Sequence, residues 1–277
     1  MTQSKQTTVA LIGAGSMGSA IGRVLTQGGA RVLTSLEGRS AASVARAREA
    51  GMEDASLEAL SMCDFIMSIV PPAVAIETAE RMAFVIANSN AKPVYIDCNA
   101  ISPDTVAKIA RVIESAGTPF VDGAIIGAPS SPKFYMSGPH AARTQALADA
   151  GLVVRALDGP NGAASALKMS YAGITKGLTA LGSAMSLAAM RNGAGDALFA
   201  ELAESQPALA KWLAGNVPRM PPKAYRWVAE MEEIAQFIGA DFAEHRIYEG
   251  AAGLYARLAK DKDATDALER FFDEARK

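Results

Sequence analysis

The sequence contains few cysteines and few histidines, two of each among its 277 residues. The spacing of Cys63 and Cys98 matches neither a zinc site nor a redox pair, so we expect both to be buried free thiols. His140 follows a Gly-Pro turn signal and His245 lies among charged residues, which favours surface positions for both. With no H-x-x-H pair and no acidic cluster, the sequence predicts no metal site.

The chain also lacks an excess of charge and a long apolar segment. Its 27 Lys and Arg against 29 Asp and Glu give a formal net charge of −2, without a block of like charges. Neither nucleic acid nor an anionic membrane is therefore an expected partner. No apolar run approaches the ~20 residues of a membrane span, and residues 1–8 lack a secretory apolar core. We expect a cytoplasmic protein whose ligand is a small molecule.

What the chain has, near its N-terminus, is an apolar run that breaks into glycine. The segment from Val9 to Gly18 reads VALIGAGSMG, a G-x-G-x-x-G fingerprint between a predicted strand and a helical pattern. In a Rossmann unit Gly13 forms the tight turn, Gly15 lets a pyrophosphate approach the backbone, and Gly18 lets the helix lie close to the strand. The context favours a dinucleotide site over a glycine-rich turn in an unrelated α/β protein.

Alternating strand and helix patterns continue through the first part of the chain. Further strands are predicted at 31–35, 64–70, 93–97, 118–122, 133–137 and 152–156. This alternation predicts an α/β fold, with an N-terminal Rossmann domain whose doubly wound sheet is mostly parallel. We place this NAD(P)-binding domain at residues 1–160, with the cofactor at the carboxyl ends of the strands.

Beyond residue 160 the strand signal stops, and residues 161–277 are predicted to form an all-α C-terminal domain for substrate binding and dimerisation. It begins with a long interdomain helix from near Gly162 to Arg191. The large apolar residues on one side of this helix are Leu167, Tyr171, Ile174, Leu178, Leu181 and Met185. A second face of mostly small residues permits close approach of another helix or a ligand. Because both faces need a partner surface, we expect a homodimer.

Several stretches of the sequence carry a resemblance to a known family. They are Gly13–Gly18, Ser68–Pro72, Asp97–Pro103, Asp122–Gly127 and, early in the long helix, Lys168. Together they resemble the β-hydroxyacid dehydrogenases, which include 6-phosphogluconate and 3-hydroxyisobutyrate dehydrogenases. The resemblance implies hydride transfer between a nicotinamide and the hydroxyl-bearing carbon of a small hydroxyacid or related alcohol. It also implies that Lys168 exchanges the hydroxyl proton. The C-terminal part looks like a less studied branch with a divergent last domain.

Three positions depart from that family's pattern. An asparagine usually found one turn after the lysine is Ala172 here, so its hydrogen bond must come from another group. Tyr171, Asn99 and Lys176 are the candidates, and Asn99 also replaces a family serine at the cofactor and substrate edge. The family's serine-glycine-glycine loop for a carboxylate is Ile126-Gly127-Ala128 here, which favours a bulkier or more apolar substrate.

The end of the second strand governs the choice between NADP and NAD. Ser35, Arg39 and Ser40 resemble the family's binding turn for the 2′-phosphate of NADP. Glu37 would favour NAD if it pointed inward. We expect NADP, with NAD as the alternative. The residues assigned to the cofactor are Gly13, Ala14, Gly15, Ser16, Met17, Gly18, Ser35, Arg39, Ser40, Val70, Pro71 and Asn99.

Two other functions stay open on the sequence. An NADPH-dependent imine reductase shares this architecture but uses a different proton donor near the lysine position, commonly an aspartate or a tyrosine, and Tyr171 keeps this alternative open. A sensor that binds NADP without chemistry is the alternative of another class. The residues assigned to catalysis are Lys168 and Tyr171, and those assigned to the substrate are Asn99, Ile126, Gly127 and Ala128.

Overall fold

A computed structural model describes residues 6–273 of the chain. They fall into two compact units that meet in sequence between Lys168 and Met169. This division lies further along the chain than the predicted boundary between residues 160 and 161. The difference arises because the start of the long helix is hydrogen-bonded to the sheet of the first unit, through the side chain of Asp122.

The first unit is built on one twisted sheet. Its strands are β1 (Thr8–Ile12), β2 (Arg31–Thr34), β3 (Glu53–Asp54), β4 (Phe65–Ser68), β5 (Val94–Asp97), β6 (Phe120–Ile126), β7 (Lys133–Ser137) and β8 (Val153–Ala156). Their order is β3-β2-β1-β4-β5-β6-β7-β8. All neighbouring pairs are parallel except β6 and β7. The predicted doubly wound, mostly parallel sheet is confirmed.

Helices cover both faces of this sheet. They are α1 (Ser16–Gln27), α2 (Ala41–Glu49), α3 (Leu57–Ser61), α4 (Ala75–Ala87), α5 (Pro103–Ser115) and α6 (Gln145–Asp149). Strand β1 shows why two faces need cover. Val9 and Leu11 are buried in one core, whereas Ala10 and Ile12 are buried in a second one. Since alternate residues of a strand point to opposite faces, an unbroken apolar strand is stable only when both faces are covered.

Strand β6 is longer than the sequence predicts, because its end pairs with β7. The predicted strand ends at 122, but the observed strand continues to Ile126, which pairs with Lys133 of the antiparallel strand β7. The short strand β3 was not predicted, because a segment of two exposed residues has no alternating pattern.

The two cysteines are buried free thiols, as predicted. Burial raises the pKa of the Cys63 thiol to about 11, which disfavours its reactive thiolate form near neutral pH. Within residues 6–273 no group of three or more His, Cys, Asp or Glu side chains could hold a metal ion. No helix in the same part of the chain is long and apolar enough to cross a membrane.

The second unit is helical, which confirms the predicted helical C-terminal domain. Its helices are the later part of α7 (Ala163–Arg191), α8 (Gly195–Ser205), α9 (Pro207–Asn216), α10 (Ala224–Ile238), α11 (His245–Leu258) and α12 (Lys262–Asp273). Their apolar faces share one core, in which Met231, Tyr255 and Phe272 are among the fully enclosed side chains.

The two faces of α7 differ within the second unit. On the face of small residues, Gly182 lies against Leu213 of α9, where a larger side chain would collide. On the face of large residues, Tyr171, Ile174, Leu181 and Met185 are 53–67% exposed. The small face is thus covered by the unit's own helices, and the large apolar face is not.

Lys176 of α7 is engaged inside the second unit. Its ammonium group forms an ion pair with Glu230 of α10 and lies 5.5 Å from the ring centroid of Trp227. Its carbonyl oxygen accepts a hydrogen bond from the Tyr255 hydroxyl at 2.5 Å. The ion pair of Glu230 thus joins helices α7 and α10.

Candidate active site

The turn between β1 and α1 contains three glycines with different tasks. Gly13 has a φ of 110°, a conformation that favours glycine. At Gly18 a Cβ atom would collide with the carbonyl oxygen of Gly13. At Gly15, whose φ is −72°, no protein atom lies within 4 Å of the position a Cβ would take. Protein packing explains Gly13 and Gly18, whereas the open space at Gly15 leaves the first N–H groups of α1 accessible to an anionic ligand.

A cavity of about 390 Å³ opens at the carboxyl ends of β1, β2 and β4. Four residues assigned to the cofactor from the sequence line it, namely Ser35, Arg39, Val70 and Pro71. Ser40 has another task, since its hydroxyl caps the first turn of α2. The cavity lies where a Rossmann fold holds the adenosine half of a dinucleotide.

The charges around this cavity come from two sides. Glu37 and Arg39 follow β2, whereas Glu77 and Arg81 lie on α4. Among the described residues neither guanidinium forms an ion pair, so both can bind an anion. Sequence reasoning missed Arg81 and Glu77. The available signal was their i, i+4 spacing on the helix that begins at Ala75, four residues after Pro71.

A row of polar side chains crosses the sheet at the other side of β4. Ser68, Asp97, Asp122 and Ser137 occupy paired positions on β4, β5, β6 and β7. Each of these residues is 0–1% exposed. Buried polar groups must be hydrogen-bonded, so this row is expected to organise the segments that follow the strands.

Asn99 joins the row to the segment after β4. Its backbone N–H and its side-chain amide donate to the two carboxylate oxygens of Asp97, both at 2.9 Å. The amide also donates to the Ser68 hydroxyl at 3.1 Å, and its oxygen accepts from the backbone N–H of Val70 at 2.7 Å. Asn99 is 2% exposed. In this structure its amide shapes the Val70–Pro71 wall of the cavity, while its predicted contact with cofactor and substrate stays a prediction.

Asp122 holds the start of α7. One carboxylate oxygen accepts from the backbone N–H groups of Gly162 and Ser165, and from the Ser137 hydroxyl, each at 3.0 Å. The other oxygen accepts from the Ser165 hydroxyl at 2.7 Å. Ser137 in turn accepts from the backbone N–H of Ala164 at 2.9 Å. The free N–H groups of the helix N-terminus are thus satisfied from strands β6 and β7.

Of the two residues assigned to catalysis, Lys168 belongs to the first unit and Tyr171 to the second. Lys168 is half-buried in the second turn of α7, close enough for its charge to act on Asp97 and Cys98. Burial raises the pKa of Asp97 to about 7, and the nearby Asp122 adds to the rise, whereas hydrogen bonds from Asn99 and the charge of Lys168 oppose it. The charge of Lys168 therefore acts on a buried carboxyl group at the end of β5.

The predicted substrate loop follows β6. Ile126 is half-buried and Ala128 is exposed. Gly127 has a φ of 113°, and the carbonyl oxygen of Ser131 fills the space that a side chain there would need. The loop also exposes Ser130 and Ser131, to which the sequence assigned no role. Two hydroxyl groups are therefore present in a loop where the family's serine is missing.

Two family models match parts of the chain. The model for the NAD-binding domain of 6-phosphogluconate dehydrogenase matches residues 8–149, and a domain of unknown function, DUF1932, matches residues 189–258. None of the curated protein sequences matches the chain.

Solved structures match almost the whole chain. A conserved protein of unknown function, MTH1747, described as structurally similar to 3-hydroxyacid dehydrogenases, is 28% identical, with 94% of this chain and 99% of that one covered and a TM-score of 0.80. Mycobacterium tuberculosis 3-hydroxyisobutyrate dehydrogenase with L-serine is 18% identical, with coverage of 98% and 100% and a TM-score of 0.70. An imine reductase from Myxococcus stipitatus in complex with NADP+ is 18% identical, with coverage of 96% and 99% and a TM-score of 0.56.

Fold, glycine turn and family match define a class, the NAD(P)-binding oxidoreductases of the hydroxyacid dehydrogenase type. Since the matched segment spans half of the sequence, the chain belongs to the 6-phosphogluconate dehydrogenase NAD-binding family, and a DUF1932 domain lies in its helical C-terminal part.

Proposed function

We propose that this protein is an NADP-dependent oxidoreductase that acts on the hydroxyl-bearing carbon of a hydroxyacid or related alcohol. The observation that carries the proposal is the position of Lys168. The lysine belongs to the same unit as the glycine turn, lies one helical turn after Ser165, which Asp122 of β6 holds, and its charge acts on Asp97 at the end of β5. An amine in that place suits general acid and base work on a substrate hydroxyl.

The residues of the first unit fit a dinucleotide. The open backbone at Gly15 and the N-terminus of α1 suit its pyrophosphate. The cavity lined by Ser35 and Arg39 suits its adenosine half, and Arg81 adds a second cation. When bound, the nicotinamide supplies or accepts the hydride. The protein holds the proton: Lys168 takes it from the hydroxyl during oxidation and returns it during reduction.

We propose NADP as the cofactor because two guanidinium groups without ion pairs among the described residues line the cavity. A planar guanidinium donates two parallel hydrogen bonds to a phosphate, which suits the 2′-phosphate. Glu37 also lines this cavity and supports the alternative, NAD, whose ribose 2′-hydroxyl an acidic residue would bind.

The substrate is proposed to be larger or more apolar than a simple hydroxycarboxylate. The loop at Ile126, Gly127 and Ala128 lacks the hydroxyl that the family places there, although Ser130 and Ser131 are exposed in the same loop.

We assign substrate selection and subunit pairing to residues 161–277, and cofactor binding to residues 1–160. The uncovered stripe of Tyr171, Ile174, Leu181 and Met185 supports a homodimer, because soluble proteins rarely leave such a patch exposed. We place the protein in the cytoplasm.

One observation favours imine reduction as a second candidate. Tyr171 is 54% exposed, so its hydroxyl is accessible and could donate a proton in place of the lysine. The two reactions need different substrates, and a sensor would need none.

The test is a panel assay with NADPH and NADH that follows the absorbance of the reduced nicotinamide. The panel holds 3-hydroxyacids and 3-oxoacids of increasing side-chain size, together with cyclic imines. Turnover of a hydroxyacid or oxoacid supports the proposal, and turnover of imines alone supports the second candidate. Tight NADPH binding without turnover of any of them would indicate a sensor.

A further inference from the structure

The buried carboxylate of Asp122 has no part in hydride or proton transfer as proposed above. It is 0% exposed and accepts four hydrogen bonds, three of which come from Gly162 and Ser165 at the start of α7. Burying an ionised carboxyl group is costly unless it is well hydrogen-bonded. A serine, threonine or asparagine at the N-cap position itself could satisfy these helix donors at lower cost. Because the carboxylate belongs to β6 and not to the helix, its hydrogen bonds also tie the start of α7 to the sheet.

The link between Asp122 and α7 matters because α7 carries Lys168. Lys168 lies three residues after Ser165, so about one helical turn separates the lysine from the last N–H group that Asp122 holds. Because a helix is stiff over one turn, fixing residues 162 and 165 fixes the backbone from which the Lys168 side chain extends. Asp122 belongs to β6 and is paired with Asp97 of β5, the carboxyl group on which Lys168 acts. One strand pair thus carries both the carboxylate that holds the start of α7 and the carboxyl group on which the charge of Lys168 acts.

We infer that Asp122 is a positioning residue for Lys168: its carboxylate anchors the first turn of α7 to the sheet and so places the amine beside Asp97. The expected effect on turnover rests on the proposed function, whereas the expected effect on the titration of Lys168 does not. The titratable groups around Asp97 are Asp122, Cys98, Tyr95 and Lys168.

Two substitutions separate the hydrogen bonds from the side chain as a whole. In Asp122→Asn the amide oxygen can accept the bonds from Gly162, Ser165 and Ser137, and the amide N–H can donate to the Ser165 hydroxyl. Asp122→Ala removes every one of these bonds. Ser165→Ala removes one bond only and provides a variant that folds if Asp122→Ala does not. Asp64→Asn is the matched control, since Asp64 holds Thr8 at the opposite end of the sheet.

The experiment is an NMR titration of ¹³C-methylated lysines, with the Lys168 signal assigned by its absence in Lys168→Met. We expect Asp122→Ala to lower the titration midpoint of Lys168, because an ammonium held less closely to the Asp97 carboxylate loses a charge that favours its protonated form. Ser165→Ala should lower the midpoint by less. Asp122→Asn should retain most of the wild-type behaviour, and Asp64→Asn all of it. On a substrate from the panel, kcat of Asp122→Ala should fall at least roughly ten-fold while KM and the affinity for 2′,5′-ADP change less than two-fold.

Two results would overturn the inference. One is an unchanged Lys168 midpoint in both Asp122→Ala and Ser165→Ala, or in Ser165→Ala alone if the other variant does not fold. The other is an Asp122→Asn protein as impaired as Asp122→Ala. Failure of the proposed function would look different, since 2′,5′-ADP would not bind or Lys168→Met would keep its turnover, while the titration would still report on Asp122.

Discussion

Asp97 and Asp122 are paired residues on the neighbouring strands β5 and β6, and both carboxyl groups are buried. Two such groups side by side in a medium of low dielectric constant disfavour double ionisation. Burial is the larger cause, and with Asp122 nearby the pKa of Asp97 rises to about 7. The protonation of Asp97 therefore changes near neutral pH.

The first prediction concerns stability against pH. The pKa of Asp97 is raised in the folded state, so between its unfolded value near 4 and about 7 the folded protein binds more protons than the unfolded one. The free energy of unfolding should therefore fall as pH rises through this range, by about 1.4 kcal/mol per unit of pKa difference at most. Asp97→Asn should remove this contribution, which urea unfolding at pH 4 to 8 measures.

Asp97→Asn also loses a hydrogen-bond acceptor for the Asn99 amide, so the comparison uses the slope against pH and not the absolute stability. An unchanged slope in the variant would show that Asp97 is already ionised across this range in the folded protein.

The second prediction uses the glycine turn. Gly15→Ala should lower the free energy of unfolding by no more than about 1 kcal/mol, the scale of an N-cap replaced by alanine, since nothing in the protein occupies the space and its φ suits alanine. It should nevertheless weaken NADPH binding more than ten-fold, measured by calorimetry. Gly18→Ala is the matched variant and should destabilise the fold by roughly 1–3 kcal/mol through its collision with Gly13. Equal NADPH affinity in wild type and Gly15→Ala would argue against a pyrophosphate at this turn.

The third prediction concerns cofactor choice. Arg39→Ala should cost about 2 kcal/mol, roughly thirty-fold, in affinity for 2′,5′-ADP but little for 5′-AMP. Arg81→Ala should act in the same direction from the opposite wall of the cavity. Arg48→Ala on α2 is the control, because Arg48 does not line the cavity. A wild-type protein that prefers NADH to NADPH would refute the assignment and favour a role for Glu37.

The fourth prediction concerns self-association through α7. Ile174→Glu and Leu181→Glu place charges on the uncovered stripe, where both residues are more than half exposed in the single chain. Light scattering at micromolar concentration should give the mass of a dimer for the wild type and of one chain for the variants. Ile247→Glu on α11 changes an equally exposed residue outside the stripe and should keep the dimer. A wild-type mass of one chain would contradict the homodimer.

The fold could be predicted from local patterns because each of its parts is local. The unbroken apolar run from Val9 to Ile12 requires a strand covered on both faces, and the glycines that follow it fix a turn and a close helix. The extension of β6 to Ile126 could not be predicted, since it depends on pairing with β7. Local sequence patterns do not determine which residues of two distant strands pair.

The candidate site shows the same limit. Arg39 and Val70 could be assigned to the cavity because Arg39 follows a predicted strand and Val70 ends one, at the sheet edge where ligands bind. Arg81 could not be assigned to the cavity from the sequence, because its position there depends on how α4 packs on the sheet. The link from Asp122 to Ser165 spans 43 residues and joins a strand to a helix, so no pattern in the sequence marks it.

The measurement that tests the central claim most directly is the turnover of Lys168→Met on the substrate found in the panel, with NADPH affinity measured in parallel. Methionine keeps much of the apolar stem, so folding and NADPH binding should change little. We predict a loss of turnover of roughly 10²–10⁴-fold, the usual contribution of a positioned acid or base. Tyr171→Phe, measured beside it, should be mild. Unaltered turnover in Lys168→Met would contradict the account, and a severe loss in Tyr171→Phe would then transfer the proton to the tyrosine.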